Sequence, residues 1–201
     1  PFAIFVGMSV APIAVGNTVV AKPAPDTPRM GSILAEIFDE VDLPSGVFNF
    51  VTGGDIEVGE NLAKHPKTRF ISFTGSKAVG LHLNKIAAEV QEGQKFLKRM
   101  VCELGGKNAT VVDEDADLDR AATEIIKGAF GFQGQKCSAS SRVVAHQAIY
   151  DELLEKVTKK AKALNVGDPK ENHISGPVIN QKAVDKIMNY IEIGKQEGRL
   201  V

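Results

Sequence analysis

Cys137 stands in the stretch FGFQGQKCSASSR, between Lys136 and Ser138, among Gly, Gln and Ser residues. Small polar neighbours leave a sulfur reachable, and a thiolate is a strong nucleophile. A short helical turn opened by Ala139 or Ser140 would supply backbone N–H groups that favour the thiolate. The competing reading is a packed free cysteine, since unpaired cysteines are often buried. Glu103, in CELGGKN, falls where a strand should end before a Gly-Gly turn. A loop can present such a carboxylate to a cleft, and partial burial would raise its pKa into the range of a general base. The plainer alternative is a solvated turn residue or an ion pair with Lys107. FTGSKAVG (Phe73–Gly80) joins a strand, a Gly-Ser turn and a helix start, the arrangement whose orphan N–H groups face an anion. It is not the dinucleotide fingerprint GxGxxG, and a tight strand-to-helix turn would read the same way. Lys22, in VAKPAPDTP, ends a strand before a proline turn, where an ammonium could reach a ribose or a phosphate or stand exposed in solvent.

The elements that must hold these residues alternate. Asn17–Lys22 reads as a strand, followed by a helix with a stripe at Ile33, Leu34, Ile37, Phe38 and Val41, then a strand at Val47–Val51. A short helix at Ile56–Ala63 precedes a strand at Phe70–Phe73. The next helix runs through Val79, Leu83, Ile86, Ala87 and Val90. Such alternation predicts a parallel sheet with helices on its faces. Further strands are expected at Phe96–Leu104 and Ala109–Val112. A helix opens at Asp117-Leu118-Asp119, a strand covers Arg142–Ala145, and amphipathic helices cover Ile149–Leu164 and Gln181–Lys195. A boundary falls near Gly105–Asn108, giving domains at 1–107 and 108–201. The fold class is α/β: a Rossmann-like parallel-sheet domain followed by part of a second α/β domain.

The 201 residues carry 24 Lys+Arg against 25 Asp+Glu, a net charge of −1, without the basic excess of a nucleic-acid binder. Residues 1–16 are apolar and uncharged but too short for a membrane span, and they read as a buried helix of a larger protein. No membrane partner is expected. Two cysteines, Cys102 and Cys137, form no metal-ligand spacing and no disulfide framework, so a reduced compartment and no metal are expected. Cys102 reads as a strand packing residue.

No motif decides alone, but VAKPAPDTP, ISFTGSKAVG, ELGGKN and GFQGQKCSASSR in this order resemble the aldehyde dehydrogenase superfamily along nearly the whole chain. FLKRM before the glutamate motif and YIEIGKQEGRLV at the end are most similar to its pyrroline-carboxylate branch, which oxidises glutamate semialdehyde to glutamate with NAD in proline breakdown. The resemblance implies that Cys137 is the nucleophile that forms a thioester and Glu103 the base that activates the hydrolytic water. It implies an oxyanion donor at the Cys137 backbone N–H. Lys22 would bond the adenosine ribose, Gly75 and Ser76 would hold the pyrophosphate, and the Leu104–Gly105 backbone would lie near the nicotinamide. Ser138 becomes a contact for the substrate carboxylate and Phe132 a wall of the aldehyde tunnel. Where the family often carries a glutamate three positions after the lysine, this chain has Pro25 followed by Asp26. Asp26 is the substitute that would bond the ribose 2′-OH, so NAD is expected without NADP being excluded. The resemblance also implies a homo-oligomeric parent in the cytoplasm, or in the mitochondrial matrix of a eukaryote. It implies that both ends are cut and that the 201-residue chain alone is inactive. Two rivals stay open: a dehydrogenase for another semialdehyde or an aliphatic aldehyde, and a non-catalytic dinucleotide-binding homologue, which would need neither Cys137 nor Glu103.

Overall fold

A computed structural model describes residues 2–201. It divides into two compact units, one ending at Leu104 and one spanning Gly105–Val201.

In the first unit, helix α1 (Ala3–Ala14) leads into strand β1 (Val19–Ala21), and helix α2 (Pro28–Glu40) returns the chain to strand β2 (Phe48–Phe50). β2 pairs in parallel with β1, Val19 opposite Phe48 and Ala21 opposite Phe50. Proline at the first position of α2 loses no hydrogen bond there. Gly31 lets α2 lie close on the sheet, since a Cβ there would run into the Phe50 ring. A π-helical turn at Asp55–Glu60 continues into α3 (Asn61–Lys64). Strand β3 (Phe70–Thr74), helix α4 (Lys77–Ala88) and strand β4 (Arg99–Glu103) form a second parallel unit, Thr74 opposite Glu103. Its core is Ala63, Leu83 and Ile86, flanked by Ile71, Phe73 and Met100.

The second unit starts with strand β5 (Asn108–Val112) and helix α5 (Leu118–Phe130). Asp117 caps α5, its carboxylate accepting from the N–H groups of Asp119 and Arg120. Strand β6 (Ser140–Ala145) returns parallel to β5, and helices α6 (Tyr150–Lys162) and α7 (Gln181–Glu197) follow. Val112, Ala122, Ile125, Ile149 and Leu153 make the core. Lys156 on α6 holds the Asp119 carboxylate below the usual aspartate range through a direct hydrogen bond.

The chain is thus α/β with parallel strands, as expected, but in detail it departs from the sequence reading. Among the described residues the strands form three separate pairs, not one continuous sheet. Helix α1 forms but buries only Ser9, with Ile4 and Val10 exposed. It is apolar on every side, and only one side finds neighbours among the described residues. Ile37 and Val41 are exposed where the stripe predicted burial, and Val79 and Val90 of the later helical stretch are exposed as well. Val41 and Val90 lie beyond the last turns of α2 and α4, where the helical period no longer governs direction. Strand β4 begins at Arg99, not Phe96, because its partner β3 begins at Phe70, opposite Arg99; just before it the Lys98 ammonium donates to the Ala63 and Lys64 carbonyls at 2.6 and 2.8 Å. Burial lowers the pKa of that ammonium.

Leu153 is 3% exposed at the centre of the second core. Replacing it with alanine is expected to destabilise the second unit by about 2–5 kcal/mol, read as a lower denaturation midpoint at an unchanged m-value.

Candidate functional site

The first unit carries Lys22, Asp26, Gly75, Ser76, Glu103 and Leu104; the second carries Gly105, Phe132, Cys137 and Ser138. The first set is built by the carboxyl ends of parallel strands, where open α/β sheets present ligand groups; the second lies just ahead of the first residues of β5 and β6.

At the end of β1, Lys22 is far from a free surface lysine. Its side chain is 14% exposed, and its ammonium meets Asp55 at 2.9 Å and the Pro23 carbonyl at 3.0 Å. Asp55, which the sequence reading passed over, therefore sets where this cation points. Next to it, Pro23, Ala24, Pro25 and Pro28 join Thr52 and Gly53 around a cavity of about 200 Å³. Pro25 thus lines an apolar wall, and Asp26 sits in the turn that leads into α2.

At the end of β3, the Gly75 N–H donates to the Glu103 carbonyl at 3.0 Å. This bond ties the glycine turn to the strand end that bears the carboxylate. A Cβ on Gly75 would lie 2.5 Å from the Phe73 ring, so the close turn needs glycine. Ser76 caps α4, its hydroxyl oxygen accepting from the Val79 N–H at 3.3 Å. The Lys77 and Ala78 N–H groups have no acceptor within the helix and remain open to an anion. Glu103 is exposed, not partly buried, because the alternation along β4 turns it outward while Cys102 and Met100 turn toward the core side. Among the described residues of the first unit no hydrogen bond or ion pair engages its carboxylate. Leu104 packs on Gly80 of α4, where an added Cβ would lie 2.7 Å from its methyl group. Cys102 is half-buried, its thiol 3.8 Å from the Gly80 carbonyl, in keeping with a packing role.

In the second unit Cys137 is exposed, in a turn between a 3₁₀ turn at Gly131–Gly134 and β6. The expected helical turn at Ala139–Ser140 is absent: Ser140 is already paired as a strand residue opposite Asn108. What steadies the turn is Asn108. Its side-chain amide donates to the Cys137 carbonyl at 2.7 Å and to the Ala139 carbonyl at 3.2 Å. A register shift between Asn108 and Ala109 lets it do so, the extra residue on β6 re-aiming the strand end. Gly106 makes room, since a Cβ there would stand 3.3 Å from the Cys137 carbonyl. Among the described residues the Cys137 N–H finds no protein acceptor, so it is free to donate to a developing oxyanion. Ser138 is exposed beside the sulfur. Phe132 is 47% exposed and left-handed, φ 56°. Gly105 is exposed, with open space around it.

Sequence reasoning missed Asn108, although it lies in the quoted motif ELGGKN. The partner it holds is 29 positions away, and only the β5–β6 pairing reveals the contact.

A family model described as the aldehyde dehydrogenase family matches residues 1–201. The chain is 54% identical over 200 residues to 1-pyrroline-5-carboxylate dehydrogenase of Staphylococcus aureus strain JH1, covering all of this chain and 39% of that protein. Among solved structures, 1-pyrroline-5-carboxylate dehydrogenase from Thermus with bound NAD matches at a TM-score of 0.97 and 51% identity, over 100% of this chain and 39% of that one. An NAD-dependent benzaldehyde dehydrogenase from Corynebacterium glutamicum matches at 0.90 and 40% identity, over 98% of this chain and 42% of that one. The chain therefore spans about two-fifths of the length of the relatives it matches.

Asn108→Ala removes both amide donors from the Cys137 turn. Hydrogen bonds of this kind contribute roughly 0.5–1.5 kcal/mol each, and less where they stand exposed to solvent as these do. The expected outcome is faster amide exchange at Ala139 and Ser140 with little change in exchange across the first unit.

Proposed function

The chain belongs to the aldehyde dehydrogenase family, and we propose that the protein containing it oxidises an aldehyde to a carboxylic acid with NAD through a thioester on Cys137. The substrate class we infer is an amino-acid semialdehyde, glutamate semialdehyde giving glutamate, a step of proline breakdown. The observation that carries this reading is the Cys137 turn itself. An exposed thiol sits on a backbone fixed by Asn108 and beside an N–H with no other acceptor. The named activity of relatives at 51% and 54% identity supports the substrate.

The residues present fit NAD. The proline-lined cavity offers flat apolar walls for an aromatic base. Beside it Lys22 offers a cation for ribose hydroxyls, with Asp26 in the same loop. The open N–H groups at the start of α4, with Gly75 and Ser76, suit a pyrophosphate. Leu104 and Gly105 would flank the nicotinamide with their backbone.

In the proposed reaction the Cys137 thiolate adds to the aldehyde carbon, and the oxygen takes up negative charge that the Cys137 N–H stabilises. NAD, when bound, supplies the hydride acceptor that makes this an oxidation. Glu103 takes a proton from a water, the hydroxide adds to the thioester carbon, and the acid leaves as the thiolate is restored. Ser138 would hold the substrate carboxylate, and Phe132 would wall the approach of the aldehyde. The two free cysteines support a reducing compartment such as the cytoplasm.

In the full-length protein, Cys137→Ala is expected to reduce NADH formation to background while the NAD dissociation constant stays within about twofold, because the cofactor groups are untouched. Glu103→Gln is expected to leave a first-turnover burst of NADH and to slow steady turnover by roughly 10²–10⁴-fold. Steady turnover by Cys137→Ala would contradict the assignment. A panel of aldehydes compared by kcat/KM tests the substrate, with glutamate semialdehyde expected to lead.

A further inference from the structure

Just ahead of the nucleophile turn, three successive residues lie in the left-handed region: Phe132 at φ 56°, Gln133 at 57° and Gly134 at 68°. Only the last is a glycine. Side chains with a Cβ do not sustain such a run by themselves, so the surroundings must impose it. Two glutamine side chains supply the hold. With its amide oriented to suit its neighbours, Gln133 accepts at Oε1 from the Gly176 N–H at 2.8 Å. Gln135 accepts at Oε1 from the Ile179 N–H at 3.0 Å, across 44 positions of sequence. The backbone N–H of Gln135 donates to the Phe132 carbonyl at 3.1 Å and closes the left-handed turn. Both side chains therefore grip backbone donors of one strap, Gly176–Ile179, which leads into α7. A backbone N–H cannot swing away as a rotamer can, so the grip has a defined position. Cys137 follows Gln135 by two residues.

We propose that Gln135 is a positioning residue for Cys137: its bond to Ile179 locks the left-handed turn to the strap and so sets the path along which the nucleophile is presented. The inference rests on the reading of Cys137 as the nucleophile. Asn108 fixes the far side of the same turn, so the cysteine is held from both directions along the chain. Gln135 itself touches no reacting atom; it acts by keeping the thiol where an aldehyde carbon arrives.

The test uses full-length protein and two variants. Gln135→Leu keeps the bulk and removes the acceptor; Gln135→Glu keeps an acceptor oxygen. In Gln135→Leu, the Ile179 amide is expected to exchange faster. The kcat/KM for the aldehyde is expected to fall roughly 10- to 100-fold, the scale of a small misplacement of a reacting group. The NAD dissociation constant and Tm are expected to stay at wild-type values. Gln135→Glu is expected to restore both the Ile179 protection and the turnover. Unchanged Ile179 exchange in Gln135→Leu would overturn the inference, and so would wild-type kcat/KM in that variant. Parallel losses of NAD affinity and Tm would make Gln135 a general structural staple and overturn it too. If Gln135→Leu does not fold, Gln135→Glu decides: lost turnover with Ile179 still protected contradicts the positioning role. A wild-type protein inactive on every aldehyde would sink the reading of Cys137, an outcome told apart from the others because exchange at Ile179 reads the clamp without any turnover.

Discussion

As the proposed nucleophile, Cys137 must be open to its substrate and yet held still, and burial, the usual way to hold a side chain still, would defeat the first requirement. The Cys137 turn meets both demands through its backbone. The Asn108 amide takes the carbonyls of Cys137 and Ala139, while the sulfur stays exposed. That bond depends on the rest of the second unit. Asn108 reaches the turn because β5 and β6 run parallel with a register shift at their first residues. The pair is fixed in turn by the core of Val112, Ala122, Ile125, Ile149 and Leu153, which clamps α5 and α6 to one side of the strands. Substituting Gly106 would push on the Cys137 carbonyl before any chemistry was touched.

The first unit solves a parallel problem. A carboxylate and an anion-receptive helix start are tied together by one backbone bond, Gly75 N–H to Glu103 carbonyl. Parallel pairing brings Thr74 beside Glu103, so the turn after β3 and the last residue of β4 share an edge. Ser76 then spends its hydroxyl acceptor on the Val79 N–H, which leaves the Lys77 and Ala78 donors for a ligand. In the proposed reaction this edge serves the cofactor phosphates and the hydrolytic base at once.

Much of this was legible in the sequence because it is local. Strand-to-helix alternation, the Asp117 cap, the exposed cysteine among small polar residues and the glycine turn at Gly75 each follow from a few neighbouring residues. What stayed hidden is carried by contacts between distant positions. Nothing near Lys22 in sequence marks the distant Asp55 that holds its ammonium. Asn108 stood in a quoted motif, but its partner depends on strand pairing. The left-handed Phe132 and Gln133 carry no sequence mark, since neither is glycine or asparagine; each costs about 1–2 kcal/mol relative to an ordinary conformation, and only the grip on the Gly176–Ile179 strap explains it. The helical turn expected after Cys137 failed for a related reason: Ser140 is drawn into a strand by Asn108, and pairing overrides local preference.

In the proposed reaction Cys137 carries the acyl group during oxidation. The most direct measurement is mass spectrometry of the full-length Glu103→Gln protein mixed with NAD and glutamate semialdehyde, quenched in acid and digested. A glutamyl adduct is expected on the peptide that contains Cys137, absent when NAD is omitted. An unmodified Cys137 peptide after a full turnover of NADH, or an adduct on Cys102 instead, would contradict it.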